Sequence, residues 1–327
     1  MSVSRGTSGS DPVAQVRTAA ELAEMATSFE DDLTPLAQAA QATVMTRQGI
    51  PQEHLRRPEA TRVFVVANQK GGVGKTTSTV NLAAALTQLG QRVLVIDLDP
   101  QGNASTALNI EHHRGVASTY DALVEGVPLD EIAVMCPEIN GLYVVPATID
   151  LAGAEIELVS VVAREGRLKK AIHAHPRVGT REEVGEDRFD YVLIDCPPSL
   201  GLLTLNALVA AAEMLIPIQA EYYALEGLGQ LLNTVDMVRA HLNQELAVST
   251  ILLTMYDGRT RLAAGVAAEV REHFGDQVLN TAIPRSVRVS EAPSYAQTVM
   301  TYDPTSPGAL SYLEAAREIV ARGSLGA

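Results

Sequence analysis

The 327-residue sequence has no tryptophan, four phenylalanines and two cysteines. Its core must therefore rest on Leu, Val, Ile and Ala, which suits buried parallel strands covered by helices. Cys136 and Cys196 lie far apart and form no Cys-x-x-Cys pair, so they read as reduced thiols of a cytosolic protein. No run of 18 apolar residues occurs, and no segment is expected to span a membrane. Met1 to Asp11 is polar and lacks the apolar stretch of a signal peptide. Positive charge is scarce, with 25 Lys and Arg against 39 Asp and Glu and a net charge of -14. That argues against a surface coated in cations for nucleic acid, but leaves room for a local basic patch.

What is present is ordinary for a globular protein with a sizeable core: 46% hydrophobic and 20% charged residues. Residues 1–60 read as a flexible extension. Ser2 to Ser10 is of low complexity, Asp11-Pro12 and Thr34-Pro35 resemble the starts of two short helices, and Pro51 and Pro58 mark a linker. From residue 61 onward, apolar runs alternate with amphipathic stretches. Val63–Ala67, Val93–Ile96, Leu142–Val145, Tyr191–Ile194, Met214–Ile218 and Val248–Leu253 read as strands, and Lys75–Leu89 as a helix closed by Gly90. The alternation predicts an α/β fold: a mostly parallel twisted sheet with helices on both faces. Arg164 to Asp187 is polar and reads as the end of a helix followed by an exposed loop.

The first strand runs into Asn68-Gln69-Lys70-Gly71-Gly72-Val73-Gly74-Lys75-Thr76-Thr77 and then a helix. A glycine-rich turn lets backbone N–H groups converge on phosphate oxygens, and the helix N-terminus adds unpaired donors and a positive dipole end. In such a loop Lys75 reaches the β- and γ-phosphates and the Thr76 hydroxyl binds Mg²⁺. A second lysine, Lys70, stands at the front, and the usual first glycine is replaced by Gln69. Two further strands end in acids: Val93 to Ile96 leads to Asp97 and Asp99, and Tyr191 to Ile194 leads to Asp195. Ligands in open α/β sheets bind at that carboxyl edge. A single Asp there is commonly a helix cap, but two such ends after a phosphate loop point to an acid set for a metal–nucleotide, with Asp195 holding Mg²⁺.

The stretch from Ala67 to Asn103 (ANQKGGVGKTT…NLAAAL…RVLVIDLDPQGN) resembles the deviant Walker A ATPases of the ParA/MinD group, and within it the ParA family of chromosome and plasmid partitioning ATPases. The resemblance covers about Arg62 to Arg322. It implies ATP and Mg²⁺ as ligands and hydrolysis of ATP to ADP and phosphate. It implies that Lys70 reaches a partner's nucleotide across an ATP-dependent homodimer, that Asp99 orients the attacking water, that Asp97 supports the Mg²⁺ shell, and that Pro100 to Asn103 and Pro197-Pro198 shape switch segments. It also implies a cytoplasmic, nucleoid-associated protein that binds double-stranded DNA without sequence preference and is stimulated by a ParB-type centromere-binding partner.

For DNA, the resemblance points to Arg259 and Arg288, with Arg261 and Arg285 as neighbours. Residues 251–300 hold five Arg and five acids, a neutral segment in an acidic chain, which fits a local phosphate-contacting patch. Loop arginines ordinarily make surface salt bridges instead. Three other readings compete. A membrane-bound MinD-like ATPase needs a basic amphipathic C-terminal helix, whereas Gly308 to Arg322 carries mixed charge and reads as packed on the domain. An amidotransferase-type ligase needs an acceptor pocket. A repressor with a vestigial ATP site would not keep all the loop and acid residues. An iron–sulfur cluster at Cys196 would need cysteines from both subunits in suitable settings, and Cys136 stands in a turn-like Met-Cys-Pro-Glu context with no partner pattern.

Overall fold

In the computed structural model, residues 55–221 and 228–324 are described. The β-branched runs become one seven-stranded sheet: β1 (Arg62–Val66), β2 (Val93–Asp97), β3 (Val134–Met135), β4 (Leu142–Val145), β5 (Tyr191–Asp195), β6 (Glu213–Gln219) and β7 (Ala247–Thr254). Their order is β3-β4-β2-β5-β1-β6-β7, and every pairing is parallel except β3 with β4. Among the strands and after them run α1 (Lys75–Gln88), α2 (Asn103–Ala107), α3 (Leu151–Glu157), α4 (Arg167–Ala174), α5 (Leu202–Ala210), α6 (Leu228–His241), α7 (Arg261–Phe274), α8 (Val287–Glu291) and α9 (Pro307–Ser324).

The strands are apolar throughout because each face has its own helical cover. Along β1, Val63 and Val65 enter one apolar layer while Phe64 and Val66 enter the other; Leu94 and Ile96 of β2 oppose Val93 and Val95 in the same way. The period of two puts successive side chains on opposite faces. The first layer is closed by α3 to α7, the second by α1 and α9. In α9, Tyr312, Leu313, Ala316, Ile319 and Val320 are buried against that second layer, and the Tyr312 hydroxyl meets Ser78 Oγ of α1 at 3.4 Å. The C-terminal helix therefore packs on the domain, as its mixed charge predicts.

The polar stretch after Arg164 folds further than its composition suggests. It contains α4, whose Leu168 and Ile172 are fully buried one turn apart, and a short turn over Arg181–Val184 capped reciprocally by Thr180 and Glu183. Two apolar residues at i and i+4 are a narrow stripe, easily lost among charges, yet enough to seat a short helix. Its first turn is tied down by Asn206 of α5, whose Oδ1 accepts from the Leu168 N–H at 3.2 Å. Pro217 lies in an interior strand, a place Pro usually avoids. It falls beyond the last β1–β6 pair, Val66 with Leu215, so its missing N–H costs no rung on that side.

Residues 55–60 already lie on the domain: the Leu55 N–H donates to Leu89 O at 3.0 Å, and the Arg57 guanidinium binds Asp190 at 2.8 and 2.9 Å. The two helix starts expected near Asp11 and Thr34 fall outside the described residues.

β1 and α9 meet at Arg62. Its guanidinium binds both Glu213 oxygens at 2.7 and 2.8 Å and the Ile319 carbonyl at 2.8 Å, and lies over the rings of Phe64 and Tyr191 at 4.9 and 5.5 Å. β1, β6 and α9 are thus joined through one half-buried cation. Replacing Glu213 with Ala strands that cation, and should lower unfolding free energy by about 2 kcal/mol. Urea denaturation should show an earlier midpoint at unchanged slope.

Candidate functional site

The phosphate loop is held from both sides. Asn68 donates its side-chain amide to Pro217 O of β6 at 2.8 Å and accepts the Lys70 N–H at 3.0 Å. From β7, the Thr254 hydroxyl donates to Val73 O at 2.8 Å. Gly72 and Gly74 have φ of 73° and 88°, left-handed values that glycine adopts without strain. A Cβ added at Gly71 or Gly72 would meet nothing within 4 Å, so the loop lies against open space. Gly74 caps α1, and no side chain caps its first turn. The leading N–H groups and the dipole of α1 are therefore left for an anion. Lys75 is buried, with its ammonium donating to Lys70 O at 3.2 Å; burial lowers its pKa, and the Asp195 charge opposes that shift.

The acids converge because β2 and β5 are neighbours in register, Asp97 beside Asp195. Asp97 is fully buried and satisfied: one oxygen accepts the Asp99 N–H at 3.1 Å, the other the Ser105 N–H and hydroxyl at 2.9 and 2.7 Å. It thus fastens the start of α2 to the strand. Burial raises its pKa to about 6. Asp195 accepts the Thr79 hydroxyl on Oδ1 at 3.0 Å, while its buried Oδ2 has no hydrogen-bond partner among the described residues. Burial, and then the neighbouring Asp97 charge, raises its pKa to about 8. Two buried carboxyls at one rung do not both ionise without a cation. An orphaned carboxylate oxygen beside the Thr76 hydroxyl fits a hard divalent ion such as Mg²⁺. Asp99 is nearly buried, and its Oδ1 accepts the Gln101 N–H at 3.0 Å, shaping the turn into α2. The Cys196 thiol is fully buried, and burial pushes its pKa well above the ordinary value.

The two arginine segments are brought side by side. The Tyr256 N–H donates to Ile283 O at 2.9 Å, and the Arg285 N–H donates to Tyr256 O at 3.2 Å. All four arginines are exposed. Arg259 clasps Asp257 at 2.8 and 2.9 Å, Arg285 lies 3.6 Å from Glu221, and Arg288 lies 3.2 Å from Glu291 and 3.4 Å from Asp303. Arg259 holds the Asp257 carboxyl down at about 2. Arg261 opens α7 behind the Thr260 cap. Lys70, the front lysine, lies 3.7 Å from Glu221.

Loop, acids and arginines thus occupy one edge of the sheet. Sequence reasoning passed over Asn68, Thr79, Ser105, Thr254 and Glu221. Thr79 alone carried a signal, standing one helical turn after Lys75 on the face of α1 that meets β5. The others act across the sheet, through contacts that strand order creates.

A parallel sheet whose first strand turns through a glycine-rich loop into a helix, beside a strand ending in a buried acid, defines a P-loop nucleotide-binding protein. The family described as AAA domain matches residues 61–248. The chain is 50% identical over 262 residues to the sporulation initiation inhibitor protein Soj of Bacillus subtilis, covering 80% of this chain and 99% of that one. It is 48% identical over 261 residues to the chromosome partitioning protein ParA of Caulobacter vibrioides, covering 80% and 94%. Among solved structures it is similar to cobyrinic acid a,c-diamide synthase of Mycobacterium smegmatis with bound ADP and magnesium, with TM-score 0.67, 38% identity, and 82% and 97% of the two chains covered. The chain belongs to the ParA family of partitioning ATPases.

The raised pKa of Asp195 gives a test. Between the ordinary 3.8 and about 8 the folded state keeps a proton that the unfolded state has lost. Stability of the nucleotide-free protein should therefore fall as pH rises through that range. Asp195→Asn should flatten the fall between about pH 6 and 8, and should abolish the melting-temperature gain from Mg²⁺ with ATP. Differential scanning calorimetry across pH reads both.

Proposed function

We propose that the chain is an ATP-driven DNA-partitioning switch. ATP with Mg²⁺ binds the loop Lys70 to Thr77, a second copy closes over it, and the dimer holds double-stranded DNA without sequence preference. Hydrolysis, speeded by a ParB-type partner, releases the DNA. The observation that carries this reading is the continuity of the site: Thr254, at the end of β7, holds the phosphate loop, and Tyr256, two residues on, pairs with the second arginine segment. A change at the loop is therefore felt at the arginines.

The proposed roles join the geometry of the loop and acids to what the family resemblance implies for Lys70, Asp99 and the arginines. The open cradle of Gly71, Gly72, Val73 and Gly74 and the uncapped start of α1 receive phosphate oxygens. Lys75 and Thr77 flank them, and Thr76 with Asp195 holds Mg²⁺, Asp97 standing behind. The ion supplies charge neutralisation at the phosphates. Asp99 orients water against the terminal phosphate, and Lys70 reaches the partner's nucleotide, a cation supplied in trans where charge develops. Arg259, Arg285 and Arg288 exchange their carboxylate partners for DNA phosphates, Arg261 binds a phosphate beside them, and each guanidinium can grip phosphate bidentately. On this reading the protein acts in the cytoplasm, on the nucleoid.

The buried face of α9 speaks against membrane attachment by that helix, and no helix among the described residues is long and apolar enough to cross a membrane. The ligase reading, suggested also by the Mycobacterium relative's name, needs an acceptor pocket beside the loop. A cavity of about 760 Å³ lies between α3, α5 and α6, and none of its lining residues belongs to the phosphate loop or the acid pair.

The decisive experiment is DNA cosedimentation with ATP, ADP and a non-hydrolysable analogue across a salt series, alongside sedimentation velocity. Binding and dimerisation should require the triphosphate; a protein that stays monomeric and ignores DNA with every nucleotide would end the proposal. Arg288→Glu should abolish DNA binding and spare the dimer. Arg288→Ala should lower the log–log salt slope by roughly 1.8 per dimer, about 0.9 for each phosphate no longer neutralised. Asp99→Ala should accumulate an ATP-bound, DNA-bound dimer with at least about 100-fold slower phosphate release, the scale of losing a positioned catalytic group.

A further inference from the structure

The sheet order places the carboxyl end of β6 between the phosphate loop leaving β1 and the arginine segment beside β7. Glu221, two residues past β6, stands in that gap. Its carboxylate faces two cations: Lys70 Nζ lies 3.7 Å from Oε2, and a terminal guanidinium nitrogen of Arg285 lies 3.6 Å from Oε1. The Gln219 side-chain amide donates to Oε1 at 2.6 Å, and the Glu221 N–H donates to Gln219 O at 2.8 Å, so the carboxylate is aimed rather than left to swing. One carboxylate thus serves the lysine assigned to the partner's nucleotide and an arginine assigned to DNA.

We propose that Glu221 is the resting counter-ion of Lys70, a positioning residue that holds this lysine at home until a second nucleotide-loaded copy draws it away, with Arg285 competing for the same carboxylate. The inference rests on the reading of Lys70 as a cation acting in trans. Its physics is simple. A lysine that must leave an anion to cross an interface dimerises less readily than one with none to leave. The Lys70 side chain is 36% exposed and that of Glu221 47% exposed, so the pair is partly hydrated and its hold is modest. A weak hold suits a switch, because a triphosphate carries more charge than one carboxylate and wins the lysine once it arrives.

The shared carboxylate has a second consequence, of less obvious sign. Arg285 draws on the same charge that restrains Lys70. Removing Arg285 leaves Glu221 undivided for Lys70, and so hinders dimerisation at a step where no DNA is present. Occupying Arg285 with a phosphate has the same direction. This local contact therefore opposes the favourable link between dimer and DNA, and tempers it.

The test is the dimer dissociation constant of the full chain with Mg²⁺ and a non-hydrolysable ATP analogue, without DNA, by analytical ultracentrifugation. Glu221→Gln keeps the shape and an oxygen for the Gln219 amide while removing the charge. It should tighten the dimer about two-fold per protomer, hence about four-fold in the dimer constant, within the range for an exposed pair. Arg285→Ala should weaken the dimer, and should have no effect in the Glu221→Gln background. Both effects should fade near 1 M salt, where the screening length is about 3 Å. If Lys70→Ala impairs dimerisation but Glu221→Gln leaves it unchanged or weaker, the counter-ion role is overturned and the trans reading of Lys70 stands. If Lys70→Ala dimerises normally, the trans reading itself fails. An Arg285→Ala defect that persists beside Glu221→Gln removes the competition between the two cations.

Discussion

Two carboxyl groups buried at the same rung of adjacent strands set the terms for the rest of this molecule. Asp97 and Asp195 lie in register on β2 and β5, and the protein's donors reach three of their four oxygens. A fold that buries two acids together and leaves one oxygen bare is not arranged for stability alone, since an unsatisfied buried polar group opposes folding. On the reading proposed above, the arrangement becomes favourable when a cation and its nucleotide arrive. Ligand binding and completion of the core are then one event, and the free energy of binding acts on the segments those acids hold: α2 through Ser105, and α1 through Thr79.

In the proposed switch, the same edge carries the signal outward. The phosphate loop is attached to β6 by Asn68 and to β7 by Thr254, so it cannot shift without moving one of them. Between Thr254 and the paired Tyr256 stands Met255 with φ of 51°, a left-handed value that costs a non-glycine residue about 1–2 kcal/mol. The kink turns the chain from the strand into the first arginine loop. Strain stored between the anchor of the phosphate loop and a surface loop is well placed to be released or reinforced when the anchor moves.

Much of this was legible from residue order. The alternation of apolar runs with amphipathic stretches gave the parallel sheet and its two covered faces, and strand ends fell within one or two residues of their observed positions. The loop Lys70 to Thr77 and the acids Asp97, Asp99 and Asp195 stood out because each follows a strand directly, so that one-dimensional spacing already places them at the carboxyl edge. What stayed hidden depends on which strand lies beside which. Nothing local in Thr254 or Glu221 announces that β7 and β6 border the phosphate loop. Helix α4 was legible only as the end of a helix, its two buried side chains being outnumbered by the charges around them. The arginines were named from a resemblance; their carboxylate partners Asp257, Glu291 and Asp303 come from turns and short helices whose geometry no periodicity encodes.

The packing of α9 on α1 bears on how the protein is made. The helix that follows the phosphate loop leaves the ribosome long before α9, yet its outer surface is covered by residues 307–324, and Arg62 waits for Ile319 to complete its set of partners. At roughly 5–20 residues per second, more than ten seconds separate the synthesis of the two. During that interval α1 lacks its cover, so nascent chains are not expected to hold nucleotide firmly or to find a second copy. The proposed dimer would in this way form only once α9 has been made.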